Sequence, residues 1–393
     1  MSALLIHNCR IVTETRVIED GALLICDGVI EQVMDAAGAC AVGAIGDGVR
    51  KLDAQGLYAA PGFIDAHVHG GGGFDFMCGD AESVRRACRT HLEHGTTSLM
   101  ATVSTADNAA FMRAMAAIEQ ARADTPQIAG IHIEGPYFAM AQRGAQSPRF
   151  IRDPDPAEYK AIAERFACIR RWSAAPELPG ALEMARYMTA RGIRMSIGHS
   201  DALFEQVLPA YEAGFDCVTH LYSCVSTVRR INAFRHAGIV EAAYLLDGMT
   251  VELIADGCHL PASLLQLAHK IKGPDRIMLV TDGISAAGLE GVDGEIFSQT
   301  CDSMIVIEDG VAKLPDRSAF AGSVATTDRL VRTMMKLGGA SVVDAVRMAT
   351  ATPARHLGLR DRGVLVAGRR ADIVLFDDDV NIKHVLLGGD IVK

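Results

Sequence analysis

The stretch 61-PGFIDAHVHGGGG-73 runs from apolar residues into two histidines one position apart and then into four glycines. Its first half has the composition of a buried strand. Its end does not, because a histidine in apolar surroundings is costly unless something pairs with it. Strand side chains alternate between faces, so His67 and His69 point the same way and can grip one ion. The glycines that follow, Gly70 to Gly73, let backbone approach a site closely or simply make a pliant loop.

Working outward from it, seven more short β-leaning runs follow the same plan. They are 96-TTSLMATV-103, 128-IAGIHIEG-135, 169-IRRWSAA-175, 193-IRMSIGHS-200, 217-CVTHLY-222, 250-TVELIAD-256 and 276-RIMLVTDG-283. Helix-like segments fill most of the gaps, as in 80-DAESVRRACRTHLEHG-95, which opens on an N-cap aspartate and stops at a glycine. A further helix is expected over 341–358, opened by a Ser-x-x-Asp capping pattern. Eight strand–helix units without a GxGxxG after the first strand favour a closed (β/α)8 TIM-like barrel over an open doubly wound sheet.

Both ends of the chain read differently. The runs in 22-ALLICDGVIEQV-33 are split by Asp27-Gly28, a favoured hairpin turn, and Asp20-Gly21 is read as a similar turn. Residues 36–48 read as a small, Gly-rich loop. Near the other end, 372-DIVLFD-377 and 384-HVLLGGDIV-392 are strands, the second folded about Gly388-Gly389. The expected organisation is a small β-sandwich from residues 1–60 and 362–393 flanking a catalytic barrel over 61–361.

Composition excludes several classes. A net charge of -10 argues against a general nucleic-acid or anionic-membrane binder. Ten scattered cysteines with no CxxC pair read as reduced cytoplasmic thiols, not as a disulfide framework or zinc ribbon. The opening MSALLIHNCR is a poor signal peptide, and no apolar run reaches membrane-spanning length.

In a barrel the C-terminal ends of the strands share one mouth. There the sequence places His67, His69, Glu134, His199, His220, Asp256 with His259, and Asp282. Any one of these is uninformative; together they point to a divalent metal, which accounts for all of them at once. Histidine and carboxylate donors without cysteine suit zinc, iron, manganese or cobalt. His132 lies one layer below Glu134 on the same face, and His7, His91, His94, His269, His356 and His384 lie away from strand ends.

The combination of PGFIDAHVHG with 363-GVLVAGRRADIVLF-376 resembles the amidohydrolase superfamily, whose barrel is flanked by a β-sandwich built from both chain ends. Within it, 132-HIEGPYF-138, 198-GHS-200, 219-THLY-222, 254-IADGCH-259, 279-LVTDG-283 and 321-AGSVATT-327 resemble the N-acetylglucosamine-6-phosphate deacetylase family. That resemblance implies one or two divalent metals per subunit, zinc foremost. Glu134, His199 and His220 would hold the principal metal, and His67 and His69 a second, with Glu134 bridging. Asp282 would be the general acid–base towards a metal-bound water, and His259 a substrate contact. Strand four ends in Ala175-Pro176-Glu177, so no lysine is available there to bridge metals in the carbamylated form that other superfamily members use.

Two departures touch the sugar pocket. Ser223, Cys224 and Val225 stand where the family commonly has Asn-Ala-Met, and Gln146, in 143-RGAQ-146, stands where a histidine is frequent. The resemblance also implies a homodimer in which a neighbouring subunit lends an arginine to the substrate phosphate, with Arg229, Arg230 and Arg235 as candidates. The implied reaction is hydrolysis of the acetamide of N-acetylglucosamine 6-phosphate. The alternatives are the galactosamine epimer, another N-acyl amino sugar or amino acid, and an inactive scaffold.

Overall fold

The computed structural model describes residues 3–41 and 49–393. Eight parallel strands follow one another in chain order around the central sheet: Phe63–Val68, Thr96–Ser104, Ile128–Glu134, Ile169–Ala174, Arg194–Ile197, Phe215–Val218, Thr250–Leu253 and Ile277–Leu279. We refer to them as barrel strands one to eight. The seam between strands eight and one is closed just beyond their ends. There the Asp282 N–H donates to the His67 carbonyl (2.9 Å), the His69 N–H donates to the Gly283 carbonyl (2.8 Å), and Val68 bridges Gly283 in parallel.

A helix follows each strand, from Ala81–Glu93 after the first to Thr327–Lys336 after the eighth. The sequence starts several of them chemically. Asp80, Asp107 and Asp155 each accept hydrogen bonds from first-turn N–H groups, satisfying donors that a helix start otherwise leaves open. The small and apolar faces of these helices, such as Val84, Ala87 and Cys88 of the first, pack on the outer side of the barrel in one continuous core.

Strands from both chain ends join a second, mixed sheet of eight strands. Tyr58–Pro61 is its hinge. It pairs in parallel with Ala3–Val12 and antiparallel with Ile373–Phe376, and runs directly into barrel strand one. This sheet folds about its own core of Ile6, Ile11, Leu23, Ile25, Ile373 and Leu375. The Asp27-Gly28 turn forms as read, with both residues at positive φ (46° and 81°). No helix among the described residues is long and apolar enough to cross a membrane.

Four readings need correction. Asp20-Gly21 makes no turn: it lies within Val17–Cys26 at a β-bulge, where Asp20 takes the positive φ (52°) that the dipeptide also suits in turns. Ala36–Ala41 is a short helix, and residues 42–48 lie outside the described residues. The segment expected as one helix over 341–358 is two, Val342–Met348 and Ala351–Leu357, and Ser341 caps the first by accepting from the Asp344 N–H. Between barrel strand eight and its helix stands an unforeseen antiparallel sheet of Gly294–Ser298, Ser303–Glu308 and Val311–Lys313. Its last hairpin turns on Asp309-Gly310, both at positive φ (55° and 72°), the same dipeptide signal used elsewhere in the reading.

Candidate active site

Barrel strands five, six and eight stop earlier than the sequence suggests, and the residues that matter sit just past their ends. His199, His220 and Asp282 all have left-handed backbone (φ 47°, 30° and 47°), a conformation that costs a non-glycine residue on the order of 1 kcal/mol or more. Fixed hydrogen bonds hold each one there. The His199 carbonyl accepts from the Ala139 N–H, the His220 N–H donates to Glu252 (3.0 Å), and Asp282 is held by its bond to His67 and by the Ser323 N–H. The turn out of the strand aims each side chain across the barrel mouth.

They converge on Glu134. Its Oε1 lies 3.2 Å from His199 Nε2, 3.1 Å from His220 Nε2 and 3.5 Å from His67 Nε2, and its Oε2 lies 3.4 Å from His69 Nε2. The two histidines of strand one are 3.1 Å apart at their Nε2 atoms. Asp282 Oδ1 is 3.0 Å from His69 Nε2 and 3.4 Å from His67 Nε2. All are buried, the Asp282 side chain being the most open to the cavity above (13% exposed). Burial works against ionising Glu134 and Asp282, and the surrounding histidines outweigh it, holding both carboxyls below their ordinary values.

This donor set fits a metal. The outer nitrogens of three rings face pure acceptors, which fixes them as Nδ1–H: His67 towards Glu252 Oε2 (3.2 Å), His199 towards the Gln142 carbonyl (3.0 Å) and His220 towards the Ser223 carbonyl (3.0 Å). His69 Nδ1 meets Ser104 Oγ at 3.0 Å. Their Nε2 atoms are thereby left pointing at carboxylate oxygens, and one oxygen faces three imidazoles. Such crowding of electron pairs calls for cations between them. Two overlapping groups, His67–His69–Glu134 and Glu134–His199–His220, each present ligand atoms within 4.8 Å of one another, with Glu134 common to both.

Beneath this cluster lies a polar layer that local sequence patterns did not expose. Glu252 of strand seven accepts from the His220 N–H and faces His67, while its other oxygen pairs with the buried guanidinium of Arg171 on strand four. Arg171 also donates to Ser196 Oγ (2.8 Å) and Thr219 Oγ1 (3.3 Å). His132 takes the supporting place read for it, between Thr102 Oγ1 and Ser173 Oγ and edge-on to the His67 ring. Asp256 orients His259: it accepts from the His259 N–H and from Nδ1, both at 2.8 Å, leaving Nε2 for a ligand.

A cavity of about 520 Å³ opens over the cluster, lined among others by His69, Glu134, His199, His220, His259 and Asp282. Ser223, Cys224 and Gln146 border it as read. Both backbone polar groups of Ser223 are engaged by His220, and Gln146 donates from Nε2 to Glu134 Oε2 (2.8 Å). The three arginines do not line it. Arg229 is bound to Asp201 (2.6 Å), and Arg230 and Arg235 sit on an exposed hairpin, Arg229–Ile231 and Phe234–His236. Arg143 and Phe320 do border the cavity and were missed; Phe320, which follows the unforeseen sheet, packs on the His259 ring (4.5 Å).

The glycine run serves packing instead of the cavity. A Cβ on Gly70 would stand 2.2 Å from the Phe74 carbonyl oxygen, one on Gly71 2.8 Å from His91 Nε2, and one on Gly72 2.1 Å from Thr90 Oγ1. His91, set aside on sequence, holds the Gly70 carbonyl at 2.7 Å. Gly70→Ala is therefore expected to destabilise the fold by about 1–3 kcal/mol, read as a lower urea midpoint, because a backbone oxygen blocks the new methyl.

Comparison with known proteins agrees with this geometry. Residues 58–392 match the amidohydrolase family. The chain belongs to that family. Over 99% of its length it is 30% identical to N-acetylglucosamine-6-phosphate deacetylase of Lysinibacillus sphaericus, covering 97% of that protein. It is 33% identical to N-acetylgalactosamine-6-phosphate deacetylase of Shewanella sp. (strain ANA-3), over 84% of this chain and 82% of the relative. A mutant of N-acetyl-D-glucosamine-6-phosphate deacetylase from Mycobacterium smegmatis, solved in complex with N-acetyl-D-glucosamine-6-phosphate, superimposes with a TM-score of 0.90 at 31% identity, with both chains covered in full.

Proposed function

We propose that the protein hydrolyses the acetamide of N-acetylglucosamine 6-phosphate to acetate and glucosamine 6-phosphate. The observation that carries this reading is Asp282, an ionised carboxylate at the floor of the cavity within 3.4 Å of both strand-one histidines. It is supported by the full-length likeness to an enzyme solved with that sugar phosphate bound.

Glu134, His199 and His220 would hold one divalent metal, zinc foremost, and His67 and His69 with Glu134 a second. When bound, the metal supplies Lewis acidity, which polarises the amide carbonyl and acidifies water towards neutral pH. Asp282 accepts a proton from the attacking water as its oxygen bonds to the carbonyl carbon. It then delivers that proton to the sugar nitrogen as the C–N bond breaks, so the amine departs neutral. His259, fixed by Asp256, contacts the substrate through Nε2. Glu252 and Arg171 keep His67 and His220 in register throughout.

The division into a barrel over 61–361 and an accessory β unit from 1–60 and 362–393 is part of this proposal. So is a homodimer: the hairpin bearing Arg230 and Arg235 also exposes Phe234 and Ile231, a surface suited to reaching a second copy. The described cysteines are all free thiols, in keeping with a reducing cytoplasm.

The test is acetate release from N-acetylglucosamine 6-phosphate, its galactosamine epimer and the unphosphorylated sugar, on one metal-quantified preparation before and after chelation. The glucosamine phosphate is expected to be preferred, with activity lost on chelation and restored by divalent metal. A preference for the epimer would install the second reading, which the Shewanella relative favours. Activity that survives complete metal removal would refute the mechanism.

A further inference from the structure

A second chamber of about 420 Å³ adjoins the reaction cavity, between the 143–148 loop and the small antiparallel sheet inserted after barrel strand eight. The two spaces share Arg143, Ala145, Gln146, Cys301 and Leu314 as common walls. Gln146 is hydrogen-bonded to Glu134, and Cys301 is buried where the two spaces meet. Thr300 ties this part of the inserted sheet to Asp75 through its N–H and its hydroxyl (3.3 and 2.8 Å), so the wall is anchored. The chamber therefore adjoins the reaction cavity on the side of Glu134 where Gln146 stands.

The chamber is mainly apolar where a ligand would lie. Ala145, Pro148, Met304, Leu314 and Pro315 line it, and Met304 is 43% exposed. Its charged groups are already engaged. Arg143 donates to the carbonyls of Gly144 and Gln146 (3.3 Å each), Asp316 accepts from the N–H and hydroxyl of Ser318, and Asp302 faces Arg149 at 3.7 Å. Of the residues read as touching the sugar pocket, Ser223 and Cys224 border the first cavity and not the second, whereas Gln146 borders both. A sugar held against Ser223 and Cys224 would direct its acyl substituent across the first cavity, towards the side where Gln146 and Cys301 adjoin the chamber. An acetyl methyl leaves this space unused.

We propose that the second chamber is an acyl subsite and that the enzyme accepts N-acyl amino-sugar phosphates with linear chains longer than acetyl. This inference rests on the function proposed above. Each methylene moved from water onto the apolar wall is worth up to about fourfold in kcat/KM.

The experiment compares kcat/KM for N-acetyl-, N-propionyl-, N-butyryl- and N-hexanoylglucosamine 6-phosphate on the metal-loaded protein. The butyryl substrate is expected to match or exceed acetyl, and a butyryl value below acetyl would overturn the subsite. Met304→Trp, which fills a position bordering only the second chamber, is expected to lower the hexanoyl-to-acetyl ratio at least tenfold; an unchanged ratio also overturns the subsite. Calorimetric titration of the hexanoyl and acetyl substrates into Asp282→Asn reads binding without turnover, and weaker binding of hexanoyl would again count against it. Turnover of acetyl alone refutes the chamber and spares the deacetylase. No turnover of any member refutes the underlying function, and the chamber with it.

Discussion

Asp282→Asn is expected to lower kcat by about three orders of magnitude while leaving the metal content unchanged, as positioned acid–base groups contribute roughly 10²–10⁴-fold. The amide keeps the volume of the carboxylate and can keep its place, because the backbone is held from both sides by His67 and Ser323. What it loses is the ability to take a proton from water and return it to the leaving nitrogen. Elemental analysis of the purified variant separates this from a loss of metal, since Glu134, His199 and His220 are untouched and form a complete group without Asp282. Retention of wild-type kcat would remove Asp282 from the chemistry.

Arg171→Met is expected to cost about 3–5 kcal/mol of stability, because it leaves the Glu252 carboxylate buried without its cation. Neither group reaches solvent, so no water can take the place of the guanidinium. A second substitution tells two roles apart. In Arg171→Met/Glu252→Met the uncompensated charge is gone and much of the stability should return. Metal affinity should fall in the double variant even so, since His67 Nδ1 and the His220 N–H lose their shared acceptor only there, and loss of such supporting bonds weakens affinity about 10–100-fold. Denaturation midpoints with zinc titration would measure both. A double variant that binds metal as well as the wild type would show that Glu252 serves only to neutralise Arg171.

The barrel could be read from the chain because each strand is a short apolar run bounded by a helix signal, and those signals are local. The ligands could be read because each departs from an apolar run at its C-terminal end. Arg171 and Glu252 could not. In 169-IRRWSA-174 two arginines stand together, one exposed and one wholly buried, and only a partner from a strand 81 residues on makes the second tolerable. Burial of that kind is a property of the closed barrel and has no local periodicity. The strand ends were overrun for a related reason: β-leaning Thr219, Leu221 and Tyr222 continue past Val218, yet the backbone leaves the sheet there, as it does after Ile197, to present His220 and His199. The inserted sheet was missed because its strands run only three to six residues and mix buried with exposed positions, although Asp309-Gly310 marked its hairpin.

The seam between the first and last barrel strands has a consequence for the making of the protein. His67 and His69 emerge early in synthesis and Asp282 more than two hundred residues later, and the bonds that seat Asp282 are the ones that zip the two strands together. A nascent chain can already carry Glu134, His199 and His220, but Asp282, the proposed proton acceptor, is not in place until the last strand arrives and the ring shuts. Contacts so far apart in sequence form late and slowly. On the proposed mechanism, the competence to cut an amide and the completion of the ring are thus one event.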